Sequence, residues 1–142
     1  MAATIFYILK KIHLDTPYLI GYNLIERSDG MTREFIMLPE FDRKWAEMGL
    51  TDKELKTLQE ELTINPSKGD VMQGTGGLRK IRIAFEGRGK SGSARVCYVD
   101  FAVYERIYLI TAYAKDEKDN LSKSERNEVK KLIKILEATI RR

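Results

Sequence analysis

Residues 74–98 read GTGGLRKIRIAFEGRGKSGSARVCY, and the fold follows from this stretch. Three glycines open it. From Leu78 to Phe85 basic and apolar residues alternate, which puts Lys80, Arg82 and Ala84 on one face of a predicted strand and Ile81, Ile83 and Phe85 on the other. A glycine-rich basic turn spans Gly87–Gly92. A second strand is predicted over Ala94–Phe101, where Arg95 and Cys97 alternate with Val96 and Tyr98. The pattern is a hairpin with an apolar back and a cationic front.

Charge is concentrated in the same place. The chain has 142 residues and a formal net charge of only +4. Before Met31, Lys10, Lys11 and Arg27 are cancelled by Asp15, Glu26 and Asp29. Between Gly74 and Arg95, however, Arg79, Lys80, Arg82, Arg88, Lys90 and Arg95 face Glu86 alone. A local field of this kind favours a polyanion such as nucleic acid, against the simpler reading of a solvated charged face.

Composition bounds the rest. One domain is expected at this length, with 43% hydrophobic and 32% charged residues. Cys97 is the single cysteine and falls in an apolar strand pattern, so disulfides and a cysteine metal site are excluded and a reducing, cytoplasmic setting fits. His13 is the single histidine, which leaves no histidine cluster for zinc or for base catalysis. No apolar run reaches membrane-spanning length. No metal site and no cofactor are expected.

Residues 1–30 are read as an N-terminal extension to a domain over 31–142. Tyr18–Ile25 has the look of a strand. Glu26-Arg27-Ser28 can be encoded by GAA-AGG-AGT, a ribosome-binding sequence at a suitable distance from Met31, so the expected native start is Met31. Beyond it, Arg33–Leu38 reads as a strand, and Pro39 suits the first turn of a helix whose Phe41, Trp45 and Met48 recur at helical spacing before Gly49 ends it. Thr51-Asp-Lys-Glu54 is a capping box opening a second helix with Leu55, Leu58 and Leu62 buried, stopped at Asn65-Pro66. Ser67–Asp70 reads as a polar turn. After the hairpin, Ile107–Lys115 is a strand expected to carry Leu109, Thr111, Tyr113 and Lys115 on one face. Ser122-Lys-Ser-Glu125 then opens a helix to about Ile140, striped by Val129, Leu132, Ile133 and Leu136. The order β-α-α-β-β-β-α predicts an α+β fold, a mostly antiparallel sheet with helices on one side.

The glycines do not make a nucleotide site. Gly87-Arg-Gly-Lys-Ser-Gly92 matches G-x-G-x-x-G, but a strand follows it where that motif needs a helix. Gly89-Lys90-Ser91 resembles the end of a P-loop, yet Ala84 stands where its first glycine belongs. The residue types suited to chemistry are lysine, arginine and tyrosine. Cutting RNA requires removing the 2′-hydroxyl proton, stabilising phosphate charge and protonating the leaving 5′-oxygen. A lysine crowded by cations can serve as base, arginine binds phosphate oxygens in pairs, and a tyrosine can stack on a base or simply pack in the core.

The series glycine–LRK–GKSG–ARV, then YLITAYAKDEKDNLS, closely resembles the RelE/HigB-type toxins of bacterial type II toxin–antitoxin systems, from Met31 to the C-terminus. The resemblance implies a small antiparallel sheet with two helices packed on one side and a C-terminal helix. It implies a ribosome-dependent, metal-independent endoribonuclease that cuts mRNA on the 70S ribosome and is neutralised by an antitoxin encoded by the adjacent gene. By motif, Lys80 and Arg82 match the catalytic basic pair, Arg95 the phosphate-contacting arginine, and Tyr113 and Lys115 the last-strand catalytic position. Arg79, Arg88, Lys90 and Tyr98 are the expected RNA contacts. Asp116–Asn120 stands where some members carry an arginine or tyrosine, which leaves Lys115 and Tyr113 as alternatives for the general acid. A non-catalytic RNA- or ribosome-binding module, or an inactive relative kept as a transcriptional partner, would use the same hairpin.

Overall fold

The computed structural model describes residues 21–26, 32–84, 93–115 and 120–141. The elements are β1 (Gly21–Glu26), β2 (Thr32–Met37), α1 (Pro39–Glu47), α2 (Asp52–Ile64), β3 (Asp70–Val71), β4 (Arg79–Ala84), β5 (Ser93–Phe101), a 3-10 turn (Ala102–Tyr104), β6 (Arg106–Ala114) and α3 (Lys123–Ile140). The strands form one sheet in the order β1-β2-β6-β5-β4-β3. The α+β class is as expected, with a helix pair and a C-terminal helix.

Local signals in the sequence account for the helices. Pro39 occupies the first turn of α1, where its missing N–H has no role. Both capping boxes form: Thr51 with Glu54 at the start of α2, and Ser122 with Glu125 at the start of α3. The Trp45 indole donates to Thr51 O at 3.2 Å, and its ring stacks on Phe41 at 5.2 Å, which fixes the angle between α1 and α2.

The sheet is mostly antiparallel, as expected, with one parallel pairing that makes it mixed. β2 runs parallel to β6, with Glu34 opposite Arg106 and Met37 opposite Leu109. The chain leaves β2 through α1 and α2 and returns to it only at β6, the long crossover that parallel pairing requires. β1 lies on the outer side of β2, antiparallel, from Gly21 opposite Met37 to Glu26 opposite Thr32. The region read as an extension therefore includes a sheet strand, as the Tyr18–Ile25 pattern suggested.

The helices do not all share one side. Phe35, Met37, Ile81, Val96, Tyr98, Ile107 and Leu109 pack beneath α1 and α2, against Phe41, Trp45, Leu55, Leu58 and Leu62. On the opposite face Cys97, Val99, Tyr108, Ile110 and Tyr113 pack against Val129, Leu132, Ile133 and Leu136 of α3. Burying those four α3 side chains contributes roughly 1.5–3 kcal/mol each before chain entropy is subtracted. β5 and β6 are covered on both faces, which explains their nearly continuous apolar sequence.

One irregularity in β6 sets which face its second half presents. Cys97 pairs with Thr111, but the next residue, Tyr98, pairs with Leu109. Ile110 is the extra residue of a β-bulge. Past it the alternation shifts by one, so Thr111 and Tyr113 join the α3 face while Leu109 points to α1 and α2. The single face expected for Leu109, Thr111, Tyr113 and Lys115 is thus split, because uniform alternation does not survive the bulge.

Candidate active site

On the α3 face, cross-strand pairing sets the basic residues in rows. Lys80 lies opposite Cys97, which lies opposite Thr111; Arg82 lies opposite Arg95, which lies opposite Tyr113. The third row is Ala84 and Ser93, with Lys115 reached through its N–H, which donates to Ser93 O at 3.2 Å. The structure therefore brings Lys80, Arg82, Arg95, Tyr113 and Lys115 onto adjacent rows of three neighbouring strands. Arg82 and Lys115 are exposed, Lys80 and Arg95 half-buried, and Tyr113 only 1% exposed beneath α3.

The glycine turn before β4 holds the first row in place. Gly76 and Gly77 adopt φ of 78° and 113°, the left-handed region that a side chain disfavours. Between them and Met72, the Thr75 hydroxyl donates to Met72 O at 2.5 Å and accepts from the Leu78 N–H at 3.1 Å. Leu78 is fully buried, so β4 starts from a fixed point two residues before Lys80.

Two of the expected RNA contacts have structural roles instead. Tyr98 is fully buried on the α1/α2 face, where its hydroxyl donates to Pro66 O at 2.7 Å and accepts from the Gly69 N–H at 2.9 Å. Burial pushes its phenol upward, keeping it the neutral donor those bonds need. A buried ring cannot stack on a base, so its reading as an RNA contact is corrected. Arg79 is on that same face and donates to Gly69 O at 2.7 Å and Ser67 O at 3.3 Å, which ties the loop to β4. It is a loop-holding residue rather than a free cation. Arg88 and Lys90 lie outside the described residues.

The described arginines fall into two sets. Arg33, Arg43, Arg106 and Arg141 each form an ion pair, with Asp100, Glu47, Glu34 and Glu137 respectively, and Arg79 is engaged by carbonyls. Arg82, Arg95 and Arg126 have no side-chain partner among the described residues. Arg95 Nη1 and Arg126 Nε are moreover buried without a hydrogen bond, as is Ser93 Oγ. Ser93 and Arg126 were missed by motif reasoning. The signal for Arg126 was present: it precedes the buried Val129 by three residues and Ile133 by seven, on the inward stripe of its helix.

Arg82 directly opposite Arg95 is unfavourable in isolation, since like charges on paired strand positions repel. An anion between them removes the repulsion and supplies the missing acceptors. Chemically, the face can bind phosphate oxygens and present a lysine to a neighbouring hydroxyl.

A mixed sheet held between a helix pair and a C-terminal helix, with Arg82 and Arg95 unpaired among the described residues, defines a small basic α+β domain with a candidate anion-binding face. Comparison with protein families says which: residues 36–142 match the RelE toxin of the RelE/RelB toxin–antitoxin system. The chain belongs to the RelE toxin family. An antitoxin is accordingly its partner in class, and no helix among the described residues is long and apolar enough to cross a membrane.

Proposed function

We propose that this toxin is a ribosome-dependent endoribonuclease of the RelE/HigB type, which inhibits translation by cutting mRNA on the 70S ribosome. The observation that carries the reading is the facing pair Arg82 and Arg95, like-charged and without a carboxylate partner among the described residues. Such a pair suits the non-bridging oxygens of a phosphodiester. Lys80, one row away, takes the 2′-hydroxyl proton as that oxygen attacks phosphorus. The bond to the 5′-oxygen breaks, leaving a 2′,3′-cyclic phosphate, and the leaving oxygen receives a proton from the acid. Lys115 suits that role better than Tyr113, because it is exposed at the end of the face while Tyr113 is enclosed by α3.

Single-turnover cleavage of ribosome-bound mRNA tests the reading. Lys80→Ala, Arg82→Ala and Arg95→Ala are each expected to slow cleavage by on the order of a hundredfold, with ribosome binding reduced much less. Growth arrest on induction, relieved by co-expressing the neighbouring open reading frame, is expected to disappear in the same variants. Ribosome binding with intact mRNA in the wild type would favour a non-catalytic binding module.

A further inference from the structure

Among the described residues Arg82, Arg95 and Arg126 have no side-chain partner; Arg82 and Arg95 stand on the sheet face that α3 covers, and Arg126 on the inward stripe of α3. α3 starts just after β6, and Lys115 at the end of β6 is level with Ser93. At the other end of the face, a Cβ built on Gly76 would lie 3.6 Å from Lys130 Cγ and 3.9 Å from Ile133 Cγ2. The Lys130–Ile133 turn of α3 therefore overlies the loop that leads into β4. Arg126 precedes that turn by four to seven residues, or about 6–10 Å along the helix axis. The same distance along β4, at about 3.3 Å per residue, runs from Leu78 to Lys80 and Ile81, beside the Arg82–Arg95 row. Arg126 is on the inward stripe, and its Nε has no exposed surface and no hydrogen-bond partner.

A guanidinium is strongly hydrated in water and costs free energy to bury without acceptors. Arg95 Nη1 and Arg126 Nε are two buried nitrogens without an acceptor, on side chains that are otherwise half-buried. Ser93 Oγ, on the row next to Arg95, is also buried with no hydrogen bond. Every one of these atoms can donate a hydrogen bond. The chemistry that satisfies them is an oxyanion.

We propose that Arg126 is a phosphate-positioning residue, closing from the helix side an anion site whose sheet side is Arg95 and Ser93. The site takes a phosphodiester oxygen, and this assignment rests on the reading of the β4–β5 face as the RNA-binding face. It makes α3 part of the site as well as part of the core, so the helix start must be docked for the phosphate to be held from both sides.

The test measures the thermal midpoint of the purified full chain in rising concentrations of inorganic phosphate. A ligand that binds only the folded state raises that midpoint by mass action. The wild type and Lys134→Gln, a change at an exposed α3 position, are expected to show the rise; Arg126→Gln is expected to lose most of it, whatever its midpoint without phosphate. A merely structural role for Arg126 would lower the midpoint and leave the phosphate response intact. An unchanged response in Arg126→Gln overturns the assignment, and so does a wild type indifferent to phosphate. Cleavage is read in parallel, with Arg126→Gln expected to be slowed on the order of a hundredfold. If the wild type binds ribosomes and leaves mRNA intact while Arg126→Gln has lost its phosphate response, the endoribonuclease reading fails and the anion site stands.

Discussion

The Tyr98 hydroxyl satisfies two backbone groups at once, the Gly69 N–H and the Pro66 carbonyl, in the loop that joins α2 to β3. A Cβ added at Gly69 would lie 2.9 Å from the Tyr98 ring and 3.0 Å from Lys80 O, so this loop approaches the sheet as closely as glycine allows. Tyr98→Phe leaves both backbone groups without their partner and is expected to cost about 1–3 kcal/mol, read as a lower urea midpoint. Cleavage by the folded fraction should not change. Lost cleavage at full stability would return Tyr98 to the RNA-contact role. The phase of β5 already placed Tyr98 with Val96, opposite Arg95 and Cys97. Residue type suggested a stacking surface; alternation, the better guide here, said core.

At the level of elements, the capping boxes were legible because both partners lie within four residues of each other. The Thr51 hydroxyl and N–H bond to the Glu54 carboxylate and hold it below the usual glutamate range. A carboxyl depressed on folding contributes stability that is present above the unfolded value and lost as pH falls through the folded one. Glu54→Gln is therefore expected to flatten the fall in urea midpoint on acidification below the ordinary glutamate range, and to do nothing to its slope near neutrality. A slope identical to that of the wild type would refute the linkage. Ser122 caps α3 by accepting from the Glu125 N–H at 3.1 Å, and Ser122→Ala is expected to cost about 1 kcal/mol in the same denaturation assay. The parallel pairing of β2 with β6 was not legible, since the two strands are separated by most of the domain and no local pattern records their contact.

Across the whole molecule, the Arg33–Asp100 pair at 3.1 Å joins β2 to β5 over Ile107 of the intervening β6. Both side chains are largely buried, so Asp100→Ala strands a guanidinium and is expected to destabilise by roughly 3–5 kcal/mol in denaturant titration. A chain starting at Met31 lacks β1, leaving β2 as the sheet edge. The family match and, among the described residues, nearly all of both cores lie beyond that point, so it is expected to fold and to arrest growth like the full chain. Failure to fold, seen by circular dichroism, would make β1 an obligatory strand. The basic hairpin was legible because alternation and charge coincide in one continuous stretch. The inward position of Arg126 was legible in its spacing to Val129 and Ile133, but its meaning was not, because that depends on where the helix docks.

The extra residue at Ile110 is a length that β6 can give up without losing its register. Ile110→Ala trims a core side chain and leaves the strand's frame intact. Excising Ile110 closes the bulge instead: Leu109 stays opposite Tyr98, Thr111 stays opposite Cys97, and Tyr113 keeps its place opposite Arg95 under plain alternation. In a library of single deletions, loss of Ile110 should be tolerated better than loss of a paired neighbour such as Ala112, which turns every later residue of the strand to the other face.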